Sequence, residues 1–129
     1  DVRRGRATFD RIGCALCHTP QLAVGQSSSA AITNQRTARL FSDLLLHRMG
    51  SRLADGITQG LARGDEFRTA PLWGAGQRVF FLHDGRTQDL ADAVVQHASP
   101  GSEANRVIKN FQRLSAQEQQ ELIDFLRSL

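Results

Sequence analysis

Of the 16 lysine and arginine residues in this 129-residue chain, only Lys109 is a lysine, so the positive charge is almost wholly arginine. Arginine favours planar, bidentate partners such as carboxylates. The formal net charge is +3, but the basic residues are not interleaved with aromatics and no nucleic-acid motif accompanies them. No nucleic-acid partner is therefore expected, and the charge reads as a solvated surface. No apolar run approaches a bilayer's thickness, so no membrane span is expected. There is no internal repeat and no acidic loop of the calcium-binding kind. With no signal-peptide pattern at its start, the sequence is expected to be that of a mature or trimmed product. Cysteine is scarce too, with two residues, Cys14 and Cys17. A structural zinc site would normally need a second pair of ligands that these cysteines cannot supply. A redox dithiol usually sits in a βαβ context, which this chain lacks.

What is present is a chain 40% hydrophobic, enough for one globular domain over residues 1–129. It is organised around Cys14-Ala15-Leu16-Cys17-His18. Two thiols three residues apart can each form a thioether to a porphyrin vinyl group, and the histidine that follows offers its imidazole to the iron. The pattern implies one covalently attached haem c. Thioether attachment belongs to the bacterial periplasm or an equivalent extracytoplasmic space, which sets the expected location.

Residues 2–12 read as a helix entering this motif, with Gly5, Phe9 and Ile12 on one face. A glycine one turn before a phenylalanine permits close approach of a second helix. Ser115 and Glu118 form a capping box ahead of Leu122, Phe125, Leu126 and Leu129, the clearest helix in the chain. The two together resemble the crossed terminal helices of class I cytochromes c. Between Thr19 and Gln35 lies a polar connection that includes Gln26-Ser27-Ser28-Ser29, read as a loop. Residues 37–49 are densely apolar, and periodicity cannot decide helix from extended segment there. Glycines at 56, 60, 64, 74 and 76 mark a loop-rich stretch. Thr87 is a candidate cap for a further helix burying Leu90, Ala93, Val94 and His97, and residues 107–114 read as a short amphipathic piece.

An iron bound by His18 takes a second ligand from Met49, His47, His83 or His97, or is left open on that side. A methionine beside Leu44–Leu46 is otherwise core filling, and a histidine on an apolar helical face is otherwise a hydrogen-bonded core residue.

A family resemblance bears on this choice. The run from Glu66-Phe67-Arg68-Thr69-Ala70-Pro71-Leu72-Trp73-Gly74 through Phe81-Leu82-His83-Asp84-Gly85-Arg86 resembles the C-terminal haem domain of di-haem oxidoreductases, the thiol oxidoreductases and bacterial di-haem cytochrome c peroxidases. Leu44-Leu45-Leu46-His47-Arg48-Met49-Gly50, Leu53-Ala54-Asp55-Gly56 and Phe111-Gln112-Arg113-Leu114-Ser115 fit the thiol-oxidoreductase branch. In the peroxidases the axial methionine of the electron-transferring haem follows the histidine of the segment similar to His83-Asp84-Gly85 by fourteen residues; here that step reaches His97, and the thiol-oxidoreductase branch also has a histidine at that place. The resemblance thus implies His18 and His97 as iron ligands, with Met49 the alternative. His47 and His83 become candidates to hydrogen-bond a propionate or the backbone, Arg68 and Arg86 candidate propionate partners, and Trp73 a residue at the porphyrin edge or in the core. The relatives carry two haem motifs where this chain has one, and Ala98-Ser99-Pro100-Gly101 stands where they are glycine-rich.

The expected fold is all-α, a cytochrome c-like domain with long loops whose N- and C-terminal helices cross near the haem. The expected function is electron transfer to a redox partner protein, with a second haem domain or subunit among the partners considered. A haem-bearing half of a di-haem peroxidase or thiol oxidoreductase is the alternative. On this reading the chain is more an electron carrier than a catalyst on its own.

Overall fold

A computed structural model describes residues 1–25 and 36–129; the serine-rich part of the expected loop, residues 26–29, lies outside the described residues. Among the described residues four α-helices carry the fold: α1 (Val2–Ile12), α2 (Leu90–Gln96), α3 (Asn105–Gln112) and α4 (Ala116–Arg127). Asp1 caps α1 by accepting from the Arg3 N–H, and the chain leaves the helix through Gly13 in the left-handed conformation. Ser115 and Glu118 close the capping box at the start of α4. The cap of α2 is Asp89, which accepts from the Ala91 and Asp92 N–H groups, while Thr87 acts one step earlier by accepting from the Asp89 N–H.

The all-α expectation is corrected by two small antiparallel sheets. Strand β1 (Leu22–Ala23) pairs with β2 (Thr37–Ala38), and β3 (Leu46–Arg48) pairs with β4 (Glu66–Arg68). The architecture among the described residues is mixed, helices with two-stranded ribbons, rather than all-α. The physical reason lies in residues 37–49. Leu44 takes φ 61°, which breaks any helix, and the following Leu46–His47–Arg48 alternates outward, inward, outward. Ser42, fully buried, donates to the Thr69 carbonyl and accepts from the Leu44 N–H, pinning the two segments together beside β3 and β4.

The core forms where α1 crosses α4. Gly5 lies against the Glu121 backbone so closely that any Cβ there would overlap the Glu121 carbonyl oxygen. Phe9, Phe41 and Phe125 meet edge to face, with ring centroids 5.4–6.1 Å apart. Each such pair adds about 0.5–1.5 kcal/mol beyond simple burial. Leu122, Leu126, Phe111, Leu90 and Ala93 complete the cluster. At the rim of the crossing Arg4 donates to the Glu121 carboxylate at 2.8 Å, which pulls that carboxyl down to about 2.

Gly5→Ala is expected to force the helices apart and cost about 3 kcal/mol, at the upper end for overpacking. Urea unfolding checks this; an unchanged midpoint would mean the crossing is not the close contact described.

Candidate functional site

Because α1 ends at Gly13 with φ 106°, the chain turns at once into a 3-10 turn over Cys14–Leu16. The His18 N–H donates to the Cys14 carbonyl at 2.9 Å, which folds the first cysteine and the histidine back on one another. Both cysteines are free and partly buried. Burial pushes the Cys14 thiol up to about 12 and also raises Cys17, the latter helped by the Asp43 and Glu103 carboxylates. A reactive dithiol needs the opposite, a depressed pKa. Raised in this way, the pair lacks the activated thiolate of a redox dithiol.

The four histidines separate into two kinds. The Nδ1–H of His18 donates to the Phe41 carbonyl at 3.0 Å, and that of His97 to the Ala93 carbonyl at 2.7 Å. A carbonyl only accepts, so each bond fixes the tautomer and leaves Nε2 with its lone pair. Burial is the main reason both rings stay neutral; it lowers His97 and lowers His18 to about 4. Their ring centroids stand 6.5 Å apart. A metal–imidazole bond of about 2 Å on each side, plus the short step from each nitrogen to its ring centre, spans roughly this distance. Neutral imidazoles with the distal nitrogen tied to a carbonyl are what metal-ligating histidines ordinarily present. The donor set therefore fits a haem iron.

His97 sits at the C-terminal cap of α2. The turn after it is stiffened by the Ser102 hydroxyl, which donates to the His97 carbonyl, and by a reciprocal pair between Ser99 and Asn105. Gly50 is required beneath this turn. It has φ 71°, and a Cβ would collide with Ser99 Oγ and the Pro100 carbonyl. Met49, next to it, is held by its backbone, with N–H to the Asp65 carbonyl and carbonyl to Ser99 Oγ.

His47 is of the other kind. Its two ring nitrogens lie 2.8 Å from Asp43 and 2.8 Å from Glu103, a bridge between β3 and the segment before α3. Sequence reasoning missed both carboxylates; the i−4 spacing of Asp43 is no guide in an extended segment, and Glu103 is 56 residues away. Cys17 Sγ is 3.7 Å from the same ring, so Cys17, Asp43 and His47 are grouped closely enough to hold a metal ion. That use and a thioether at Cys17 exclude one another. The raised thiol and a ring already bonded on both nitrogens count against the ion. His83 stacks on Phe67 with centroids 4.4 Å apart and approaches Asp55 at 3.9 Å. Arg86 is committed to Asp84 and to the Arg52 carbonyl, whereas exposed Arg68 has no ion pair among the described residues. Trp73, 55% exposed, does not fill the core.

A pair of neutral imidazoles beside a Cys-x-x-Cys-His turn is a donor set suited to haem redox chemistry. The family comparison agrees: the model described as "di-haem oxidoreductase, putative peroxidase" matches residues 1–129, and the chain belongs to that family. No curated protein and no solved structure matches it. No helix among the described residues is long and apolar enough to cross a membrane.

His47 yields a pH prediction. Burial lowers its pKa, but the bonds to Glu103 and Asp43 outweigh that and leave it raised. A raised folded pKa contributes stability that is complete below its unfolded value, about 6.5, and is lost as pH rises through the folded value. Asp43 and Glu103 are lowered, so their share is lost only on acidification. Between about pH 6 and pH 9 the native protein should therefore lose more unfolding free energy than His47→Gln. Equal slopes in urea titrations would remove the bridge from the account.

Proposed function

We propose that this chain is a c-type haem domain that carries single electrons in an extracytoplasmic compartment. Cys14 and Cys17 anchor the porphyrin, and His18 and His97 hold the iron through Nε2. The observation that carries the reading is a pair of neutral imidazoles with ring centroids 6.5 Å apart, each braced by a backbone carbonyl. When bound, haem iron supplies a one-electron couple whose potential follows its axial ligands. The residues do the rest. His18 and His97 keep their lone pairs because burial rejects the proton. Phe41 and Ala93 fix ring orientation, and the Ser99–Asn105 turn keeps His97 in place. A filled second position excludes small molecules and favours transfer over peroxide chemistry. Arg68 is assigned to a propionate because it is the arginine of the two not already committed to a carboxylate, and Trp73 to the porphyrin edge on the resemblance alone.

Met49 remains the competing ligand. His97→Ala should give a high-spin iron that binds carbon monoxide, while Met49→Ala leaves the spectrum unchanged. The oxidised protein should lack the weak red charge-transfer band of sulfur coordination. The reverse pattern overturns the His97 assignment, and colourless protein overturns the haem.

The family's di-haem description, set against the single attachment motif here, favours a second reading, a haem-bearing part of a two-haem enzyme. A second haem domain or subunit is then the redox partner. The intact mass of native material would separate the two: chain plus one haem supports the lone carrier, a larger two-haem chain the alternative.

A further inference from the structure

Helix α3 carries Arg106 and Lys109, with Arg113 at its C-cap, a spacing of i, i+3 and i+7. At 3.6 residues per turn the three fall within about 60° of one another. Ile108 and Phe111, which anchor α3 in the core, lie on the opposite side, and all three cations are exposed. The carboxylates nearest them in the chain are already engaged, Glu103 with His47 and the Arg48 N–H, Glu118 with Arg11 and Ser115. Among the described residues none of the three has an ion pair, whereas Arg4, Arg6, Arg11, Arg48 and Arg86 each have one. Residues 26–35 hold no aspartate or glutamate. The charge on this face is therefore unanswered by the chain's own acidic side chains.

The position of the stripe gives it a use. Asn110 donates to the Ile12 carbonyl at 3.1 Å, and the Val107 and Leu16 side chains both lie over Gly13. Asn105, at the start of the helix, bonds both ways to Ser99 in the turn that follows His97. Helix α3 thus bears on both segments assigned above to the haem. Leu16, between the two cysteines, is 75% exposed beside it. A single exposed leucine is ordinary. An apolar side chain with unpaired cations next to it is how a transient protein–protein surface is built. A membrane fits less well, since polybasic lipid-binding segments carry about four to eight such residues. Nucleic acid fits less well too, because Phe111, the aromatic residue of α3, is buried and offers no base a stacking face.

We propose that the outer face of α3, with Leu16 at its edge, docks an acidic protein that exchanges single electrons with this domain. One electron leaves the partner's cofactor as the haem iron gains it, or the reverse, and no bond is made or broken. The electron exchange rests on the haem reading above; the docking does not. Opposite charges steer such an encounter and raise its rate most at low salt.

The test uses the haem-loaded full chain, with a plant-type ferredoxin as the acidic one-electron probe. Reduced ferredoxin should reduce the haem in stopped flow at a rate that falls as salt is added. Arg106→Gln, Lys109→Gln and Arg113→Gln combined should slow the reaction at least about tenfold at low ionic strength. That gap should close near 1 M salt, where the Debye length is about 3 Å. Reduction by riboflavin semiquinone, a small uncharged donor, should be unchanged, which shows fold and haem intact. Arg63→Gln, Arg78→Gln and Arg127→Gln combined remove the same charge from other elements and should leave the ferredoxin rate within about threefold. Calorimetry with oxidised ferredoxin reads the docking alone, and the heat should vanish in the α3 variant only. Equal slowing by the two triple variants, or indifference to the α3 variant, overturns the surface. So does binding of phosphatidylserine vesicles or duplex DNA through α3 with ferredoxin unaffected. Colourless protein that still binds ferredoxin through α3 overturns the haem reading and leaves the docking standing.

Discussion

Phe41 holds the molecule together at the point where core and site meet. Its backbone sits at φ 52°, a conformation that costs a non-glycine residue about 1–3 kcal/mol. Two things offset that cost in one residue. Its ring is buried against Phe9 and Phe125, and burying such a side chain contributes about 1.5–3 kcal/mol. Its carbonyl, turned by the unusual φ, takes the Nδ1–H of His18. The helix crossing at Gly5 thus reaches the site through one side chain: α1 and α4 fix the phenylalanine cluster, the cluster fixes Phe41, and Phe41 fixes the tautomer of His18.

What could be read from the sequence divides by the range of the interactions involved. Ser115 and Glu118, three residues apart, mark the start of α4 because a capping box is local chemistry. The glycine–phenylalanine face of α1 was legible for the same reason. The sheets were not. Residues 37–49 cluster apolar side chains (Leu40, Phe41, Leu44, Leu45, Leu46) without a deciding period, and the left-handed turns at Phe41 and Leu44 decide that they extend rather than coil. Neither is a glycine, so neither announces itself. At the site, helical periodicity places His97 on a buried face but cannot name the residue opposite it. Its nearness to His18 is a contact across 79 positions, legible only through the spacing that the family resemblance supplied. The bridge from His47 to Asp43 and Glu103 lay beyond both kinds of signal.

The two uses open to Cys17 show how a neighbour limits chemistry. A thiolate beside an imidazole and a carboxylate is a plausible metal group on geometry alone. Here the carboxylates come in excess. Asp43 and Glu103 claim the imidazole on both nitrogens, and burial, helped by these two carboxylates, raises the thiol. A metal would have to displace a doubly bonded ring and strip a proton from a reluctant sulfur. A thioether, in which the sulfur's proton has passed to the vinyl carbon, has no proton left to lose and leaves His47 with its carboxylates.

Burial acts on the two imidazoles in a similarly useful way. A charged ring would be costly where His18 and His97 lie, so burial lowers both, His18 to about 4. Neutrality preserves the lone pair that a ligand needs, and the carbonyl behind each ring strengthens it as a donor. A surface histidine would surrender that lone pair to a proton in mild acid and would swing freely between rotamers. These two can do neither, since the same walls that exclude water also fix the rings. The apolar packing that stabilises the fold is therefore also what keeps both imidazoles neutral and fixed in orientation.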